Sequence, residues 1–320
     1  MYRLFLMFGM IAGLSFTINV LKIPHTIPHL IRPSFDISLP KPANTGVITI
    51  NKIGKIPATV ITAGDSLARG KGSHITNGVL ANIGYYLVRR ANNTTPGIAR
   101  YHVIPSLSVD GSSVEQLTKR LKAQNKTLAK IPNLVLLLSF TNRDMKHFVM
   151  DAEKVHSTNQ LGEFFQLANI LHHDSKLYQH SLSSLTQTLA DIHSNRVKIL
   201  GKKLAVMQVG ILGLPNESYA PKVQAVLHKY HVTYGEISYV INLFNTDDQK
   251  AVVSARSYHS GVTYSFVNLD KLQVTEKTAL ADLSPDKFHP NSLGYQSLTN
   301  YIAQNVLVHQ NQKFTVLAKN

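Results

Sequence analysis

Two short segments near opposite ends of a 320-residue chain hold the residue types best suited to covalent chemistry. The first is Gly64-Asp65-Ser66-Leu67, directly after the apolar, β-branched run Ala58 to Ala63. A serine at a sharp strand-to-helix turn is exposed for attack, and its own backbone N–H is free to bind an oxyanion. Ala68 and Gly70 beside it leave room for a substrate. The same tetrapeptide can also do no more than cap a helix through its side-chain oxygens. The second segment is Asp286-Lys287-Phe288-His289-Pro290. A serine hydroxyl is a weak nucleophile until a base takes its proton. Histidine does this near neutral pH, and a carboxylate can orient its ring and stabilise the imidazolium. Asp286 and His289 are close enough for one turn to aim both at Ser66. With 15 histidines in the chain, the pairing with Asp286 is informative and a lone histidine is not.

Other chemistries fit less well. The chain has no cysteine, which excludes a thiol nucleophile, thiolate metal sites and disulfides. Gly64 to Gly72 (GDSLARGKG) approaches a phosphate loop, but Gly72 stands where a magnesium-binding Ser or Thr is needed. His172-His173-Asp174 puts adjacent residues on different sides of a helix, and no H-E-x-x-H spacing occurs. The sequence therefore calls for neither a metal nor an organic cofactor. The G-x-S-x-G elbow of the α/β-hydrolases is absent as well.

The elements that must position these residues follow from apolar runs. Ala58–Ala63, Tyr101–Ile104, Asn133–Ser139, Lys203–Val209 and Val262–Val267 read as five buried strands. Amphipathic stretches of helical length lie between them, including one beginning near Val114, Leu161–Ile192 and Pro221–His231. This alternation predicts a parallel sheet covered on both faces, with ligands beyond the carboxyl ends of its strands. Helical material from Met145 to Ser194 exceeds what a crossover needs, so it is expected to act as a lid, a cleft wall or packing.

Gly64-Asp65-Ser66-Leu67 and Asp286-x-x-His289-Pro290 resemble the first and last blocks of the SGNH/GDSL hydrolases, and Asn291 to Tyr295 (NSLGY) is similar to bacterial members. The family's glycine block matches Gly111 in SVDGSSVEQL, and its G-x-N-D block matches Asn142 in LLLSFTNRDM. The resemblance covers about Ala58 to Val308. It implies a three-layer α/β/α sandwich with a flavodoxin-like parallel sheet, and ester-hydrolase or acyl-ester chemistry. It also implies an oxyanion hole made by the N–H groups of Ser66 and Gly111 and the Asn142 side chain. Ser66, Gly111, Asn142 and His289 follow the first, second, third and fifth strands, as a site at one sheet end requires. One block departs from the pattern: Phe140 and Thr141 replace glycine and a small residue, Arg143 replaces the usual Asp, and Asp144 comes one position late. Two outcomes are open: Phe140 narrows the site, or a different local turn still presents Asn142.

Residues 4–21 carry no charge and are just long enough to span a bilayer, between Arg3 and Lys22. They are expected to export the protein, as an anchor or as a cleaved signal, so that the enzyme works outside the cytoplasm. The prolines from Pro24 to Pro42 predict an extended stalk over 23–56. A hydrolase domain is expected over 57–310 and a tail over 311–320. Against 18 acidic residues stand 33 Lys and Arg, a formal charge of +15 that favours anionic membrane or cell-wall surfaces. Basic residues are not interleaved with aromatics, and no nucleic-acid-binding motif appears, which disfavours nucleic acid. The expected substrate is an ester-containing small molecule, a lipid or an acylated polysaccharide. Transfer of the acyl group to an alcohol, or a catalytically silent wall-binding protein, are the competing readings.

Overall fold

The computed structural model describes residues 41–76, 78–140, 143–144, 160–213, 221–229, 233–258, 261–269 and 289–309. Its frame is a five-stranded parallel sheet of β2 (Ala58–Gly64), β5 (Ala99–Tyr101), β6 (Leu134–Ser139), β7 (Ala205–Val209) and β8 (Thr263–Val267). Every residue of β2 and β6 is buried, which explains why both read as unbroken apolar runs. The order across the sheet is β5-β2-β6-β7-β8, the flavodoxin-like order. Pairing in register sets Gly64 beside Ser139, Ser139 beside Val209 and Val209 beside Val267. The carboxyl ends of four strands therefore form one straight edge.

Period-two alternation sends the strand side chains into two cores. Ile61, Ala63, Leu136, Leu138, Val206 and Phe266 pack beneath α3 (Val114–Ala123), α4 (Asn125–Lys130), α5 (Gln160–Leu200) and α7 (Tyr234–Tyr258). Val60, Val135, Leu137, Met207 and Val209 pack beneath α2 (Ile83–Thr94) and α8 (Ser292–Ile302). The remaining helices are the single turn α1 (Ser66–Arg69) and α6 (Pro221–Lys229). A two-stranded hairpin, β3 (Ile75–Thr76) with β4 (Val79–Leu80), precedes α2. Among the described residues no helix is long and apolar enough to cross a membrane. Residues 4–21 and 311–320 lie outside the described residues.

Two expectations need adjustment. The second strand lies at Ala99–Tyr101 rather than 101–104, because its pairing with β2 starts at Ala58 opposite Ala99. The segment 23–56, expected as a stalk, is docked onto the domain from Pro42 on. Asn268 donates to the Pro42 carbonyl at 2.7 Å, and Thr45 bridges Phe266. Residues Ile48–Asn51 form β1, parallel to β9 (Val306–His309), with Ile48 and Ile50 fully buried. Burial of two isoleucines outweighs the extended preference of a Pro-rich chain.

Candidate functional site

Ser66 stands at the first position of α1, immediately beyond the carboxyl end of β2. Asp65 caps this turn, its Oδ1 accepting from the Leu67 N–H at 3.0 Å, and is fully buried. Asp65 therefore caps the turn, while Ser66, 7% exposed, is more buried than a serine presented for attack was expected to be. Gly64 is required by space as well as by conformation. Its φ is +145°, and a Cβ there would lie 1.6 Å from the Ser139 carbonyl oxygen. That oxygen accepts from the Asp65 N–H at 2.9 Å, so the nucleophile's turn is fastened to the end of β6. From below, Asn82 donates to the Ala68 carbonyl at 2.7 Å. Asn82 also bonds Thr62 and Tyr101, and burial raises the Tyr101 pKa against the hydrogen bonds its hydroxyl makes with Thr62 and Asn82.

His289 arrives from the other end of the chain and places Nε2 3.1 Å from Ser66 Oγ. Its neighbour Asn291 caps α8, accepting from the N–H groups of Leu293 and Gly294. One turn later the buried Tyr295 hydroxyl donates to the Lys71 carbonyl at 3.0 Å. Lys71 N–H in turn bonds the Ser66 carbonyl at 3.0 Å. Ser292 also hydrogen-bonds His74, on the loop after Lys71. The block NSLGY thus fixes α8, which follows His289, to the turn that carries Ser66. Asp286 and Asn142 lie outside the described residues.

Gly111 occupies the third position of a turn closed by Ser112 N–H to the Val109 carbonyl at 3.2 Å, with φ +67°. A left-handed residue at that position favours glycine. The turn is attached to β2 through Val109 N–H and the Gly64 carbonyl, at 3.0 Å. Among the described residues, no hydrogen bond is made by the backbone N–H of Ser66 or of Gly111. Two donors at adjoining strand ends are what an oxyanion site needs.

Three arginines hold this turn, none of them singled out by motif. Arg69 pairs with Asp110 at 3.1 Å, Arg120 donates to Ser112 Oγ at 2.6 Å, and Arg143 donates to the Gly111 carbonyl at 3.1 Å. Burial lowers the Arg120 pKa. Asp144 accepts from the Val114 N–H at 3.1 Å and so ties its block to the start of α3. Phe140 does not narrow the site. It is 2% exposed and packs in the core under α3, α5 and α7, because alternation along β6 turns it away from the strand end.

A groove of about 630 Å³ runs between α3 and α5, starting at Ser113 and Asp144 and passing Lys119, His173 and Tyr178. Neither Ser66 nor His289 lines it. Among the described residues no group of His, Asp or Glu is arranged to hold a metal ion.

A parallel sheet covered by helices on both faces, with a serine–histidine pair and two backbone donors along its carboxyl edge, defines an α/β/α sandwich. The profile of the family described as GDSL-like Lipase/Acylhydrolase matches residues 60–302, and the chain belongs to that family. The solved structures similar to it include a lipase, Lip_vut3, from a goat rumen metagenome: 15% identical, covering 78% of this chain and 97% of that one, TM-score 0.50. A member of the lipolytic protein G-D-S-L family from Veillonella parvula is 14% identical, with 77% and 96% covered and a TM-score of 0.39. A carbohydrate acetylesterase family member from Sinorhizobium meliloti is 11% identical, with the same coverage and a TM-score of 0.40. No curated protein matches the chain.

Proposed function

We propose that the protein is a serine ester hydrolase that works through an acyl-enzyme on Ser66. The observation that carries the reading is the 3.1 Å contact between His289 Nε2 and Ser66 Oγ. Nε2 of a neutral imidazole takes the hydroxyl proton as Oγ forms its bond to the ester carbonyl carbon. The carbonyl oxygen, now anionic, is met by the N–H groups of Ser66 and Gly111, with Asn142 as a third donor. Collapse breaks the carbon–oxygen bond of the ester, and the alcohol leaves with the proton from His289. Water then repeats the sequence and frees the acid. Asp286 is assigned to orient His289. Substrates of this chemistry include simple esters, lipids and acylated polysaccharides.

A fluorophosphonate is expected to label Ser66 and to leave Ser66→Ala unlabelled. Ser66→Ala and His289→Ala are each expected to lower kcat by roughly 10⁴-fold or more, and the double variant little further. Labelling at another residue would falsify the serine mechanism.

Location is a second part of the proposal. The uncharged run 4–21 between Arg3 and Lys22 supports export, with the catalytic domain outside the cytoplasm. The basic balance supports residence at an anionic membrane or wall surface. Reporter fusions after Lys55 are expected to be active only outside the cytoplasm; a fusion active only inside overturns export.

A further inference from the structure

We propose that Arg143 makes this enzyme prefer esters that carry an anionic group, a carboxylate or a phosphate, close to the scissile carbonyl. The proposal rests on the serine ester hydrolase reading above and adds a substrate class to it. Arg143 Nη1 lies 3.1 Å from the Gly111 carbonyl oxygen. Bond geometry keeps N and O of one residue within about 3.6 Å, so the guanidinium is at most about 7 Å from the Gly111 N–H assigned to the oxyanion. One donor atom of the fork is used by that contact. The side chain is exposed, so the rest of the fork faces solvent at the lip of the site.

The charges around it leave this cation without a carboxylate. Asp110 is paired with Arg69 at 3.1 Å, and Glu115 with Lys119 at 2.6 Å. Asp144, the chain neighbour, turns Oδ2 to the Val114 N–H. Arg120 is partly buried and spent on Ser112 and Gly64. Arg143 therefore forms no ion pair among the described residues. A planar guanidinium with free N–H groups binds carboxylate and phosphate oxygens in pairs, which an ammonium does less well. Space beside Gly111 is open, since a Cβ there would meet nothing within 4 Å.

The test compares esters matched in length. Mono-4-nitrophenyl glutarate against 4-nitrophenyl valerate probes a carboxylate on the acyl side. Butyrylglycerol phosphate against monobutyrin probes a phosphate on the alcohol side. The wild-type protein is expected to favour at least one anionic partner by about tenfold in kcat/KM, mostly through KM, at low salt. Arg143→Gln keeps a donor for the Gly111 carbonyl and should remove the preference, the ratio within each matched pair falling to about one. Arg143→Lys should restore part of it. A preference that survives in Arg143→Gln, or equal losses on both members of a pair, overturns the proposal. So does the absence of any anionic preference in a wild-type enzyme that turns over the neutral esters and takes the fluorophosphonate. A folded protein that turns over no ester and takes no label refutes the hydrolase reading itself, and the proposal with it.

Discussion

The carboxyl edge of the sheet and the layer between the sheet and α5 and α7 both collect polar side chains, yet they treat them in opposite ways. At the edge, groups are anchored beside the strand ends, from the buried Asp65 on Leu67 N–H to the exposed Arg143 on the Gly111 carbonyl, with His289 against Ser66. In the layer, ionisable groups are sealed. Asp248 is fully buried and accepts from Tyr178 Oη at 2.5 Å. Asp247 accepts from Ser175 and Gln179 at 3.0 and 3.2 Å, and Tyr264 donates to Gln208 at 2.7 Å. Arg196, also fully buried, donates to the carbonyls of Leu128 and Ile131, and burial lowers its pKa to about 10. Desolvation pushes the Asp248 carboxyl well above the usual range, the Tyr178 hydrogen bond opposing it and the charges of Asp247 and Asp144 adding to it. Burial also raises the pKa of Tyr264, with Asp248 adding to it. Strong perturbation marks the sealed layer, while convergence on a strand end marks the site. Placement beyond the carboxyl edge is the better guide to chemistry here.

The comparison can be broken at either place. The largest effect is expected from Gly64→Ala, where the new Cβ must displace the Ser139 carbonyl. A loss of about 4 kcal/mol or more is expected, together with nearly all activity, because the same carbonyl holds Asp65 beside the nucleophile. Denaturant unfolding and ester turnover measure both. A variant with wild-type stability would show that the turn is free to move, against the rigid edge described above.

A smaller effect, on stability alone, is expected in the sealed layer. The raised Asp248 pKa means that folding takes up a proton. Its contribution is therefore complete below the unfolded carboxyl value of about 3.9 and is lost as pH rises toward the folded pKa. Asp248→Asn keeps the acceptor for Tyr178 and removes the ionisation. Its thermal midpoint is expected to fall less than that of the wild-type protein between pH 4 and 8, with kcat/KM on a neutral ester unchanged. Parallel midpoint curves for the two proteins would remove Asp248 from the account, and a loss of turnover would merge the two regions that the comparison separates.

Most of the catalytic edge was legible in the residues because it depends on local pattern. Apolar runs announced β2, β6, β7 and β8, β5 (ARY) lay two residues before the run expected for it, and two short motifs named Ser66 and His289. Helix α7 carried no such signal. Its buried face includes Asn245, Asp247 and Asp248, which interrupt the apolar stripe that marks a packed helix. The grip on the Gly111 turn was equally hidden: Arg69, Arg120 and Arg143 meet it only through tertiary contacts. The place of Phe140 was left open because its position in a motif says nothing about which face of β6 it takes. Nor does the tetrapeptide ITIN reveal a strand whose partner lies near the opposite end of the chain.

That last pairing has a consequence in time. Among the described residues β1 hydrogen-bonds to no strand except β9, so Ile48, one of the earliest described core residues to be synthesised, waits for Val306. At roughly 5–20 residues per second, the delay on a ribosome is on the order of tens of seconds. Throughout that interval the two isoleucines of β1 and an unpaired strand edge stay open to other chains. The domain therefore closes only when its C-terminal strand arrives, and its first-made strand is among the last to become native.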